Sequence, residues 1–308
     1  MSVAMTEPKI TGTFLDEITH DIPAQNWGHK EWLAEFDVMQ SIGIDTVIII
    51  RAGYKQSVIF PSKVIHAFLV NEDDLARLFL EAAAAREMKL FFGIYDSGLY
   101  WVNNDWQKEV AINKEFINEV LDRYGHYKSF YGWYLTHEVS HGEKNYIKLA
   151  TAIGEYCKLQ TPDKPTLISP YYHGEKINSH NSITVAEHEK IWGEIFSEIS
   201  GVVDICAFQD GHVHYDELET WTQATRRIAD EAGMKIWSNC ESFDRDMPFK
   251  FPPIDWRKMK SKLLATYKYV EKIITFEFSH FMSPHSMWPS AGNLFKHYQE
   301  FIDHHTPA

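Results

Sequence analysis

The sequence predicts an α/β fold, a (β/α)8 TIM barrel forming a single domain over residues 1–308. Three observations carry that expectation. Eight short apolar runs alternate with eight amphipathic helical stretches. The runs are continuously apolar instead of alternating, as strands buried on both faces are. Neither G-x-G-x-x-G nor G-x-x-x-x-G-K-[ST] follows the first run, where an open doubly wound sheet would carry its phosphate loop. A closed barrel of about 250 residues fits the chain length.

In order, the runs are Ile10–Asp16, Thr46–Gly53, Leu90–Asp96, Phe130–Glu138, Thr166–Tyr172, Val203–Gly211, Lys235–Phe243 and Lys272–Met282. The helix His29–Ser41 places Trp32, Phe36 and Met39 on one face. Glu72–Met88 does the same with Leu75, Leu78, Phe79 and Ala82, and Asn113–Tyr124 with Phe116, Ile117, Val120 and Leu121. Gly142–Leu159, Val185–Ser200, Tyr215–Ala232, Asp255–Val270 and Ala291–His304 complete the set. Such three-and-four spacing of apolar residues is the helical signature. Gly43 and Gly233 stand where a helix must end before the next strand.

Composition narrows the function. A net charge of −13 argues against nucleic-acid binding, which needs clustered lysine and arginine, and against anionic membrane surfaces. The opening MSVAMTEPKITG lacks an apolar leader and no stretch of about 20 apolar residues exists, so a cytoplasmic location is expected. Cys157, Cys206 and Cys240 show neither disulfide nor zinc spacing and read as buried free thiols. Aromatics reach 14%, with ten tryptophans, enough for core packing and for stacking on the apolar face of a sugar.

In such a barrel the active site lies at the C-terminal strand ends. Here nearly every run ends in an ionisable residue: Asp16, Arg51, Asp96, His137-Glu138, Tyr172-His173, Gln209-Asp210, Asn239 with Glu241, and Glu277. Charged groups are costly in strands unless paired or used. Glu138 and Glu241 end the fourth and seventh runs on opposite sides of the barrel, with Trp133 and Trp237 nearby. Two carboxyl groups flanking a bond are what glycoside hydrolysis requires, one donating a proton to the leaving oxygen and one attacking the anomeric carbon or activating water.

This layout resembles the clan A glycoside hydrolases, which are retaining enzymes. The resemblance implies Glu138 as general acid/base and Glu241 as nucleophile. Trp288 resembles the tryptophan flooring the cleaved sugar's subsite in that clan. One departure is His137, where the clan commonly has asparagine. Along the whole chain, Gly12-Thr13-Phe14-Leu15-Asp16, Trp32–Met39, Gly43–Ile48, Phe208-Gln209-Asp210-Gly211 and Asn239-Cys240-Glu241-Ser242-Phe243 resemble a bacterial family of uncharacterised glycosidase-like barrels.

The expected substrate contacts are therefore Asp16, Arg51, Asp96, Trp101, His137, Tyr172, Gln209, Asp210, Asn239, Glu277 and Trp288, with a carbohydrate as substrate, no nucleic-acid or membrane partner, the oligomeric state open, and no cofactor or metal. Tyr100, Trp101 and Trp106 form either a sugar platform or a loop packed on itself. Glu277, between Phe276 and Phe278, is expected to face the barrel interior and orient Arg51 or a catalytic glutamate. Two other functions stay open. A metal-dependent sugar isomerase or epimerase would use Glu138, His173, Asp210 and Glu241 or Glu277, and the His212-x-His214 pair is a weaker metal motif. A barrel that only binds sugar is the other.

Overall fold

Each apolar run contributes one strand to a closed parallel barrel in the computed structural model, which describes residues 4–143, 145–177, 181–245 and 250–305. The strands are β1 (Ile10–Leu15), β2 (Thr46–Ile49), β3 (Lys89–Gly93), β4 (Phe130–Tyr134), β5 (Thr166–Ile168), β6 (Ile205–Gln209), β7 (Lys235–Asn239) and β8 (Lys272–Thr275). Consecutive strands are neighbours, and β1 pairs with both β2 and β8, which closes the ring. Around it run α1 (His29–Ser41), α2 (Leu75–Ala85), α3 (Trp106–Tyr124), α4 (Tyr146–Gln160), α5 (Val185–Ile199), α6 (Leu218–Ala232), α7 (Trp256–Thr266) and α8 (Pro289–His305).

Local chemistry sets the helix ends. Asp74 accepts the Arg77 N–H at the start of α2, and Asp255 accepts that of Arg257 in α7. Thr184 and Glu187 satisfy each other's amides as a capping box ahead of α5. Gly233 closes α6 with φ at 71°, a left-handed conformation that costs glycine nothing.

Aromatic contacts cross the barrel interior. Phe14 of β1 meets Tyr134 of β4 at 5.2 Å between ring centres, and Phe91 of β3 meets Trp237 of β7 at 5.7 Å. Trp237 is therefore interior packing. Trp133 points outward onto Phe92 and Phe130, and its indole N–H donates to Thr161. Neither tryptophan lies beside a catalytic-rim glutamate as expected.

Two boundaries depart from the sequence reading. After β2 and β3 the chain leaves the barrel to build a small rim sheet of Phe68–Leu69, Ser57–Val58, Gly53–Tyr54 and Tyr95–Asp96. The eighth run stops being strand at Thr275, and Phe278–Phe281 forms a one-turn helix. No helix among the described residues is long and apolar enough to cross a membrane.

Candidate active site

Beyond their strands, β4 and β7 continue to Glu138 and Glu241. The two strands stand three places apart around the ring, not diametrically opposed. Both glutamates nevertheless line one cleft of about 160 Å³, with Thr19, Asp21, Ile22, Arg51, Gln209, Phe243, Arg245, Phe251 and Phe276.

Each glutamate is held by its own arginine. Arg51 Nη2 donates to Glu138 Oε2 at 2.7 Å, and Gln209 Nε2 approaches Glu138 Oε1 at 3.3 Å while bonding the Ser169 carbonyl at 2.8 Å. Arg51 is buried and also reaches Thr19 Oγ1 (3.0 Å) and Asp96 Oδ2 (3.5 Å). Burial opposes its charge, but Glu138 and Asp96 more than offset that and raise its pKa. Asp96 in turn accepts the Trp101 indole N–H and the Gly98 amide, each at 2.8 Å.

Arg245 holds Glu241 through Nη2 to Oε1 (3.0 Å) and Nε to Oε2 (3.3 Å). The guanidinium sits over the rings of Phe243 and Phe251, at 4.9 and 5.4 Å from their centres. Burial would raise the Glu241 pKa, but Arg245 and then Lys262 outweigh it and keep the carboxyl below its ordinary range. Gly211 makes room for this carboxylate. A methyl group on its Cα would lie 1.8 Å from Glu241 Oε2.

Of the predicted residues, Arg51, Glu138, Gln209 and Glu241 line the cleft. Asp210 lines a smaller chamber of about 50 Å³ behind Glu241. Asp16, Asp96, His137 and Asn239 are buried, outside the cleft lining. Asp16 Oδ1 accepts the amides of Ile18 and Thr19, and Asn239 donates to Ser169 Oγ. His137 Nε2 lies 3.0 Å from Glu109 Oε1, and Trp101 rests edge-on against the His137 ring. The Trp101 loop is thus packed on its own network, with its indole N–H committed to Asp96.

Three expectations are corrected. Tyr172 points away from the cleft, stacked on Phe208 with its hydroxyl on Thr225, in the layer under α5 and α6. Its neighbour Tyr171, which lies past the end of β5 and bridges to Gln209, makes a different set of contacts. Tyr171 meets the rings of His173 and His212 and feels the charges of Glu138 and Arg245. Glu277 does not orient Arg51 or a cleft glutamate. It caps the one-turn helix through the Ser279 and His280 amides and pairs with the His280 ring. Trp288 is half-buried past that helix and is not among the cleft residues, where Phe276 supplies an aromatic face instead.

The isomerase ligand set does not converge. Among the described residues, the carboxylate and imidazole groups gathered closely enough for a metal are Asp96, Glu109 and His137. Glu109 and His137 pair with each other, while Asp96 is taken up by the Trp101 indole, the Gly98 amide and the Arg51 guanidinium.

Sequence reasoning missed Arg245, Glu109, Lys262 and Phe251. Arg245 carried a signal, four residues after Glu241 in a stretch with no other cation near it in sequence until Lys250. Glu109 and Lys262 lie on helices, where nothing local marks them as reaching the rim.

The chain is 47% identical to a "putative alpha-L-fucosidase" from Bacteroides thetaiotaomicron, with a TM-score of 0.93 over 98% of this chain and 96% of that one. An endo-1,4-beta-mannanase from Rhizomucor miehei shares the fold at TM-score 0.60 and 12% identity, covering 99% of each chain. An intracellular xylanase from Thermoanaerobacterium saccharolyticum does so at 0.53 and 12%, covering 86% of this chain and 84% of that one. No curated protein matches. With residues 10–288 matching its model, the chain belongs to the family described as Domain of unknown function (DUF4434).

Proposed function

We propose that this barrel is a retaining glycoside hydrolase with Glu138 as acid/base and Glu241 as nucleophile. The carrying observation is that two glutamates from separate strand ends line one cleft in unequal environments. The Glu138 side chain is 33% exposed, which suits a group that exchanges protons with water. The Glu241 side chain is 2% exposed and arginine-held, which suits a carboxylate kept ionised for attack. Arg51 holds Glu138, so on this reading sugar binding loosens that pair before proton donation.

The cleft is small against the roughly 300–1,000 Å³ of pockets that take drug-sized ligands, and so favours one sugar ring over a chain. Ile22, Phe243, Phe251 and Phe276 give it an apolar side fitting a 6-deoxy sugar. Together with the similarity to the fucosidase-described protein, this makes α-L-fucosides the first substrates to test. The three cysteines are buried free thiols, which supports a reducing, cytoplasmic setting.

The test is hydrolysis of 4-nitrophenyl α-L-fucopyranoside and a panel of other aryl glycosides, with the first-formed sugar read by proton NMR. Retained configuration supports the proposal. Inverted configuration overturns the nucleophile role, and no hydrolysis across the panel overturns the activity.

A further inference from the structure

Glu241 is held by its backbone as well as its carboxylate. Asp210 Oδ1 accepts the Glu241 N–H at 3.1 Å, and Lys262 Nζ donates to the Glu241 carbonyl at 2.8 Å. Lys262 and Asp210 are themselves paired at 2.6 Å. Asp210 follows β6 and Lys262 comes from α7, so the elements before and after β7 meet on the backbone of one residue, on the two peptide units that flank the Glu241 Cα.

Both partners are buried, at 1% and 6% exposure. Removing two charges from water costs several kcal/mol per ion, and the mutual attraction often only balances that. Such a pair does little for stability but leaves each group one place to sit. Burial disfavours the Lys262 ammonium, and Asp210 more than offsets this, so the lysine stays charged. Asp210 Oδ2 has no hydrogen-bond partner among the described residues, so the hydrogen bonding is concentrated on the oxygen that faces Glu241. The charged and titratable groups facing Glu241 are Arg245 from its own loop, Lys262 from α7, and Asp210 and His212 from the segment after β6.

Resting on the reading of Glu241 as nucleophile, we propose that Asp210 and Lys262 are positioning residues. They form a buried clamp on the Glu241 backbone, one on its N–H and one on its carbonyl, that delivers its carboxylate to the cleft wall. Neither touches substrate. Their effect falls on the rate of the chemical step and on the ionisation of Glu241, with little effect on sugar binding.

The variants are Lys262→Met and the neutral double replacement Asp210→Asn with Lys262→Met. One readout needs no substrate: a pH titration of the ¹³C-labelled Glu241 carboxyl, identified by its absence in Glu241→Gln. Loss of the nearby cation should raise the Lys262→Met midpoint by about one unit. The second readout is kcat and KM on the best aryl glycoside of the panel. A displaced nucleophile should lower kcat about 10²-fold with KM nearly unchanged. Wild-type kcat with an unmoved midpoint in folded Lys262→Met overturns the clamp. If that variant does not fold, the double variant decides on the same kcat criterion. If the double variant also fails to fold, the pair holds the barrel and not Glu241, and the proposal falls. An active Glu241→Gln would instead sink the nucleophile reading, and the titration would still judge the clamp.

Discussion

Gly211 and Glu241 are packed so closely that a side chain on one displaces the other: a Gly211 methyl would lie 1.8 Å from Glu241 Oε2 and 2.8 Å from Arg245 Nε. Gly211→Ala must therefore push the carboxylate out of its arginine pair. The expected result is a loss of about 10²-fold in kcat, since a misplacement near 1 Å can cost that much. Thermal melting should shift only modestly. Unchanged kcat would show that the Glu241 position is not critical.

Arg51 joins Glu138 to the buried Asp96. Arg51→Met frees Glu138 and strips Asp96 of its cation. Breaking a buried pair by removing one partner costs roughly 3–5 kcal/mol, so a clear drop in melting temperature should accompany the loss of activity. Adding Asp96→Asn should recover part of the stability but not the activity.

Tyr172→Phe removes a hydroxyl bonded to Thr225 in the outer layer. It should cost about 1 kcal/mol in denaturant unfolding and leave kcat and KM alone.

His280 gives the stability a pH dependence. Burial alone would depress its pKa, but the Glu277 charge, helped by Glu17 and Asp16, pushes it up to about 9. The folded value lies above the unfolded one, so this stabilisation is complete below about pH 6.5 and is lost as pH rises towards 9. The urea midpoint should fall across that window. Glu277→Gln should flatten the fall, and an equally steep fall in that variant would contradict the assignment.

The barrel was legible because burial on both faces forces continuous apolar strands, and helices show their period directly. Register near strand ends was not. Thr166–Ile168 is three residues long, too short for the sequence to say which way Tyr172 points beyond it. The run through Phe276–Met282 reads as strand because it is apolar, yet Glu277 caps a helical turn there. Glu138, Glu241, Arg51 and Gln209 were legible because strand ends are fixed by the fold. Arg245, Lys262 and Glu109 were not, because tertiary packing brings a loop and two helices to the rim.

The assignment of roles to the two glutamates is tested most directly by azide rescue on an activated aryl glycoside. Glu241→Gln removes the negative charge needed to form a glycosyl-enzyme and should be inactive with or without azide. Glu138→Ala loses general acid/base help, worth about 10²–10⁴ in rate, and suffers least with good leaving groups. Azide should restore part of its turnover, because a small anion attacks the glycosyl-enzyme without a base, and the product should be a glycosyl azide of retained configuration. Near wild-type turnover in Glu241→Gln, or rescue of neither variant, would contradict the account.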